Sequence, residues 1–115
     1  MNIFEKYLNQ ITSLILKNKK DLNLDNLDSL NNISVETPPS AFNFDLSCNA
    51  SLVLGRINKI ESKELANKIK ELIMKNLKDF AYIEVAGPGF LNLKLKDQAL
   101  IFNMNKILEN IKNYG

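Results

Sequence analysis

Phe90, Asn92 and Lys94 occupy alternate positions directly after the tripeptide Gly87-Pro88-Gly89. Alternate side chains of an extended backbone share a face, so this spacing sets side by side a ring that can stack, an amide that donates and accepts, and a cation suited to phosphate. Unstacked RNA bases present π-faces and polar edges together, and these groups match both. A base stacked on such a ring contributes roughly 1–3 kcal/mol. A plainer reading of the same residues stays open at this point: an aromatic at a strand start can fold over a neighbouring strand, and lysines on an outer face can serve only to solvate it.

Other chemistries lack their groups. The chain has no histidine and one cysteine, Cys48, which removes imidazole acid–base catalysis, the histidine-dependent triads and the usual zinc sets. No catalytic residue, metal site or cofactor is therefore assigned within these residues. Gly87-Pro88-Gly89 joins two strand-like runs and precedes no helix, so it is a turn and not a phosphate-binding loop. Asn49, on an otherwise apolar helix, is expected to be a buried amide holding a loop backbone rather than a ligand contact, Cys48 a small buried side chain, and Asp45 a helix N-cap. Lys59, Lys63, Lys68, Lys70, Lys75 and Lys78 describe a solvated face, with Arg56 and Lys59 as a possible phosphate patch. The net charge of +2 is too small for electrostatic adhesion to nucleic acid over the whole surface.

The elements that must position these groups can be read from periodicity. With 115 residues, 45% hydrophobic and 24% charged, the chain has the composition of a soluble globular protein and the size of a single domain spanning 1–115. No apolar run approaches the roughly 20 residues of a membrane span, and the start of the chain is helical in period rather than built like a signal peptide. No membrane partner and a cytoplasmic location are expected. Ile3, Phe4, Tyr7, Leu8, Ile11, Leu14 and Ile15 mark a helix from Asn2 to about Lys20, and Asp21 to Asn32 is a connector. Ile33 to Thr37 is a short strand stopped by Pro38-Pro39. Asp45 to Asn58 and a segment opened by Ser62 as N-cap are the next two helices, the second carrying Leu65, Ile69, Leu72, Ile73, Met74 and Leu77. Tyr82 to Ala86 and Phe90 to Lys96 form a hairpin, with Leu91, Leu93 and Leu95 on one face and Phe90, Asn92, Lys94 and Lys96 on the other. A last helix runs from Asp97 to about Asn113, with Leu100, Ile101, Met104, Ile107, Leu108 and Ile111 on its buried side. This order predicts an α+β fold: a small, mainly antiparallel sheet with helices packed on one face and the other face open.

Three stretches together resemble the amino-terminal domain of arginyl-tRNA synthetases. They are Val35-Glu36-Thr37-Pro38, then Asp45-Leu46-Ser47-Cys48-Asn49-Ala50 with Leu52-Val53-Leu54, and Glu84-Val85-Ala86-Gly87-Pro88-Gly89-Phe90-Leu91-Asn92. The last is similar to the family's Glu-Val-Ala-Gly-Pro-Gly-Phe-Ile-Asn almost without change. Phe44 stands where the family usually has glycine and Leu46 where an aromatic is frequent, which predicts a differently shaped loop there. Asn113-Tyr114-Gly115 resembles the segment before the family's catalytic fold, whose His-Ile-Gly-His and Lys-Met-Ser-Lys type signatures are absent.

The resemblance implies a domain that contacts the dihydrouridine loop at the tRNA elbow through Phe90 and Asn92, with Gly87 at a further contact position and Lys94 beside them. It further implies a monomeric class I ligase, of which these residues are a non-catalytic part, joining arginine to its tRNA with ATP and magnesium in a catalytic domain that follows. The partners implied are the tRNA for arginine and that catalytic domain. A freestanding protein-interaction domain with the same fold and no RNA is the rival expectation.

Overall fold

The computed structural model describes residues 2–38 and 43–114, with side chains described to residue 109. Helix α1 spans Ile3–Lys17 and is started by Asn2, whose Oδ1 accepts from the Glu5 N–H at 2.8 Å. Such a cap satisfies a donor that the helix itself cannot. Tyr7, Ile11, Leu14 and Ile15 are buried, and Ile3, Phe4 and Leu8 pack partly against the same core. The helix stops at Lys17, and Lys19 and Lys20 lie in the turn beyond it. The connector from Asp21 contains one 3-10 turn, Leu30–Asn32, and drops Leu22 and Leu24 into the core.

Four strands, β1 (Val35–Glu36), β2 (Leu46–Cys48), β3 (Phe80–Ala86) and β4 (Phe90–Leu95), form an antiparallel sheet in the order β1-β2-β4-β3. Strand β4 is therefore internal, and Leu91, Leu93 and Leu95 are all at most 1% exposed. Each contributes roughly 1.5–3 kcal/mol by leaving water. Opposite them in register lie Cys48 and Leu46 on β2 and Val85 and Ile83 on β3. Helices α2 (Ala50–Asn58) and α3 (Ser62–Asn76) and α1 cover this side, giving the α+β arrangement expected, and among the described residues no helix covers the other side of the sheet. Strand β1 ends before the buried Pro38; Pro39 lies outside the described residues.

Three expectations are corrected. The helix expected from Asp45 is a strand as far as Cys48 and a helix only from Ala50. Leu46 and Cys48 are buried on either side of the half-buried Ser47, an alternation too short to stand out from a helical stripe in sequence. Pairing on both sides, with β1 and β4, makes the extended form the better-bonded one. Ser62 does not cap α3: it is the helix's first residue, the N-cap position being Glu61. Its size is what the structure uses, as described below. Along α3, Leu65, Ala66, Ile69 and Ile73 are buried, whereas Met74 is exposed.

The third correction concerns α4 (Asp97–Tyr114). Among its described side chains only Ala99 and Asn103 are buried, with Leu100 partly so; Ile101, Met104, Ile107 and Leu108 are exposed, and the side chain of Ile111 lies outside the described residues. A polar clamp decides the rotation of the helix. Asn103 Nδ2 donates to the Tyr7 hydroxyl at 3.0 Å, that hydroxyl donates to Asp79 at 2.8 Å, and Lys6 Nζ donates to Asn103 Oδ1 at 2.9 Å. Turning the apolar stripe inward would strip partners from these groups, at about 1–3 kcal/mol for each one left buried and unpaired.

The Tyr7 ring also packs at 5.2 Å against Phe80. Burial, offset in part by the Asn103 hydrogen bond and reinforced by the Asp79 carboxylate, pushes the Tyr7 phenol up to about 12. A phenol held above its unfolded value stabilises the fold fully below the unfolded pKa of about 10, and that contribution is lost as pH rises from there towards 12. Tyr7→Phe should lower stability by roughly 1–3 kcal/mol at neutral pH. The gap between wild type and variant in urea midpoints should then narrow above pH 10.

Candidate nucleic-acid interface

The open side of the sheet takes its shape from the turn at Gly87-Pro88-Gly89. Gly87 and Gly89 have φ of +57° and +138°, both in the half of backbone space that favours glycine. Gly89 also meets α3: a Cβ there would lie 2.8 Å from Ser62 Cβ and 3.2 Å from the Ser62 carbonyl carbon. From the other direction a Cβ on Gly55 would lie 3.0 Å from Ser62 Oγ and 2.9 Å from the Ile60 carbonyl oxygen. Two glycines thus close on one serine, and the hairpin turn rests on the first turn of α3. A bulkier first residue in α3 would lift the turn away.

Phe90 leaves this turn as a 38% exposed residue, on the side opposite Leu91. A Cβ at position 87 would stand 4.0 Å from Phe90 Cδ2, so that position is in ordinary contact with the ring edge. Asn92 follows on the same side, about 7 Å along the strand. No side-chain hydrogen bond among the described residues involves its carboxamide. Its cross-strand neighbours are Ser47 on β2 and Glu84 on β3. Lys94 comes next, paired across the sheet with the exposed Tyr82. The structure therefore sets Phe90, Asn92 and Lys94 in line along an internal strand of the open face, with Gly87 in the turn beside Phe90.

Lys94 is not a bare cation. Its Nζ lies 3.4 Å from Asp45 Oδ2, and the same carboxylate oxygen accepts from the Leu95 N–H at 2.8 Å. Asp45, expected as a helix cap, instead locks the segment before β2 to the end of β4. With Glu84 opposite Asn92 and Glu36 opposite Ser47 also on this face, carboxylates outnumber the Lys94 cation there. Hydroxyl, carboxamide and carboxylate in a row across Ser47, Asn92 and Glu84 suit the polar edge of a base or a ribose hydroxyl better than a run of phosphates.

Sequence reasoning missed several of these contributors. Glu84 and Ser47 become neighbours of Asn92 only through the register. Phe44 stacks edge-on against Tyr82 at 5.5 Å, and the Tyr82 hydroxyl donates to the Asn43 carbonyl at 3.3 Å, so the loop before β2 borders the same face. Asn49 holds loop backbone as expected, accepting from the Ser34 N–H at 2.7 Å and donating to the Asn32 carbonyl at 3.2 Å, but it does so half-buried and from the position before α2 instead of from inside a helix. Asn58, not singled out beforehand, does the same for the connector, accepting from the N–H groups of Asp25 and Asn26 at 3.0 and 2.8 Å. Arg56 and Lys59 close α2, with Lys59 in the left-handed conformation, and neither is among the open-face residues. Among the described residues no three His, Cys, Asp or Glu side chains gather to hold a metal. No described helix is long and apolar enough to cross a membrane. Cys48 is fully buried, and burial pushes its thiol up to about 11.

Comparison with known proteins adds an independent observation. Residues 2–95 match the family model described as arginyl tRNA synthetase N terminal domain. An arginine–tRNA ligase of Pelagibacter ubique (strain HTCC1062) is 40% identical over 115 residues, which is 100% of this chain and 20% of the relative. One of Rickettsia felis (strain ATCC VR-1525 / URRWXCal2) is 34% identical over 114 residues, 99% of this chain and 19% of that protein. One of Rickettsia bellii (strain OSU 85-389) is 36% identical over 112 residues, 96% and 18%. The chain spans about a fifth of the length of these curated relatives.

Gly89→Ala joins a strained φ to a collision with Ser62, and should destabilise the fold by roughly 1–3 kcal/mol in denaturant titration. Adding Ser62→Gly removes the nearest colliding atom and should restore part of that loss. Equal, additive losses in the double variant would show that the two positions do not touch.

Proposed function

Because the chain belongs to the family of arginyl-tRNA synthetase N-terminal domains, we propose that its open hairpin face holds the tRNA for arginine at the dihydrouridine loop of the elbow. In this reading Phe90 stacks on an unstacked base and Asn92 pairs with that base's polar edge. Gly87 leaves room at the ring edge for the nucleotide backbone, and Lys94, its charge largely offset by Asp45, borders the contact. The observation that supports it is the exposed Phe90 ring with the carboxamide of Asn92 beside it on the solvent side of an internal strand.

The domain supplies position and no chemistry. Holding the elbow fixes the tRNA in orientation, so that its acceptor end reaches a distant reaction centre at a high effective concentration. That centre belongs to the longer protein, a monomeric cytoplasmic ligase that joins arginine to its tRNA with ATP and magnesium. The residues described here do not fit a nucleotide cofactor. Their glycine turn joins β3 to β4 and presents no helix N-terminus to a phosphate, and no step of the reaction is assigned to them.

With little net charge on the chain and no surplus of cations on the open face, affinity rests on few contacts, and single substitutions should register clearly. Phe90→Ala should weaken binding of the arginine tRNA by roughly 1–3 kcal/mol, or about 5- to 150-fold in Kd. Phe90→Tyr should keep most of it, since the ring face is preserved. The same comparison with a tRNA lacking the base at the contacted position of the dihydrouridine loop should abolish the difference between wild type and Phe90→Ala. Affinity that ignores both the ring and the loop base would instead point to a protein-interaction domain.

A further inference from the structure

Of the nine large hydrophobic side chains exposed among the described residues, five, Ile101, Phe102, Met104, Ile107 and Leu108, lie within eight consecutive positions of α4. Ile101, Met104 and Leu108 recur at the spacing of one helical face. That face is turned away from Ala99 and Asn103, the residues by which α4 is held to the body. The apolar stripe expected from sequence is thus real, but nothing among the described residues covers it. Its helix begins at Asp97, just past the last residue, 95, matched by the N-terminal-domain family. It lies between that domain and the four-fifths of the relatives' length that this chain does not span.

We infer that the outer side of α4 is the seam on which the remainder of the longer polypeptide packs, so that the helix works as a fixed bracket between the two. The body-side clamp of Asn103, Tyr7 and Asp79 sets the helix's rotation, and the stripe of Ile101, Met104 and Leu108 receives the apolar surface of the following domain. A groove of about 270 Å³ beside it, between α1 and α4, adds a polar requirement. There the Phe102 ring lies under Lys6 Nζ at 5.0 Å and Lys106 Nζ at 5.5 Å. Two cations over one ring favour an acidic side chain from the incoming surface. The occupant is therefore a largely apolar surface carrying a carboxylate at one margin. This inference rests on family membership and chain length and is independent of the contact proposed for Phe90.

Met104 and Met74 provide a built-in comparison, being 61% and 39% exposed in this domain. Oxidation by hydrogen peroxide follows solvent access, so in the natural full-length chain Met104 should react at least about fivefold more slowly than Met74, each rate referenced to the unfolded chain. Mass spectrometry of the peptides reads both sites at once. The protection should persist on dilution from tens of micromolar to well below one micromolar, and Leu108→Asp, a change at an exposed position, should raise Met104 reactivity towards that of Met74. Phe90→Ala should leave it unchanged, which separates this seam from the RNA contact. A Met104 that reacts faster than Met74 in the full chain overturns the inference. So does protection that vanishes on dilution, which would assign the stripe to a second copy of the chain.

Discussion

The approach of Gly89 to Ser62 is the constraint on which the rest of the open face depends. Neither glycine that closes on Ser62 has space for a Cβ, and the contact at Gly89 is rigid because the Ser62 Cβ and the backbone behind it, not the end of a long flexible side chain, stand on the far side. It sets where the hairpin turn stops relative to α3, and hence where β4 begins. Since successive residues of a strand alternate in direction, fixing the first residue fixes the direction of all that follow. Phe90 outward and Leu91 inward are two outcomes of one steric fact. The core then reinforces it, because a slip of one residue would bury Asn92 and Lys94 and expose three leucines.

Around that frame, asparagines attach the less regular parts. Asn49 ties the segment before β1 to the start of α2, Asn58 ties the long connector to the end of α2, and Asn103 ties α4 to α1. In each case one carboxamide serves a donor and an acceptor at once, which is what irregular backbone or a polar buried contact needs. Asp45 plays a related part with an ionised group, bonding the β4 backbone while balancing Lys94. The loops bordering the open face are therefore held by directional bonds and not by burial alone.

Much of this was legible in the residues and some was not. The period-two pattern of β4 and the glycine turn before it carried both the hairpin and the solvent-facing position of Phe90, because the alternation is strong and the turn chemistry specific. Strand β2 was not legible: at three residues its alternation merges with the helical stripe of α2, and only the vacancy between β1 and β4, a tertiary fact, makes it extended. Glu84 and Ser47 join the candidate site through register, which no local pattern encodes. The amphipathic stripe of α4 was read correctly as a stripe, but which way it would face depended on Asn103 finding Tyr7 almost a hundred residues away. Periodicity identifies a face that needs a partner, without saying that the partner lies in the same domain.

Cys48 carries one more consequence. It is the sole thiol of the chain, sealed between β1 and β4 with its proton held well above the usual range. A thiol in that state offers almost no thiolate to an oxidant or an alkylating reagent, so in the folded domain Cys48 is shielded from thiol chemistry. It also means that a cysteine introduced on the surface would be the only one to accept a fluorescent or spin label, leaving the native thiol silent.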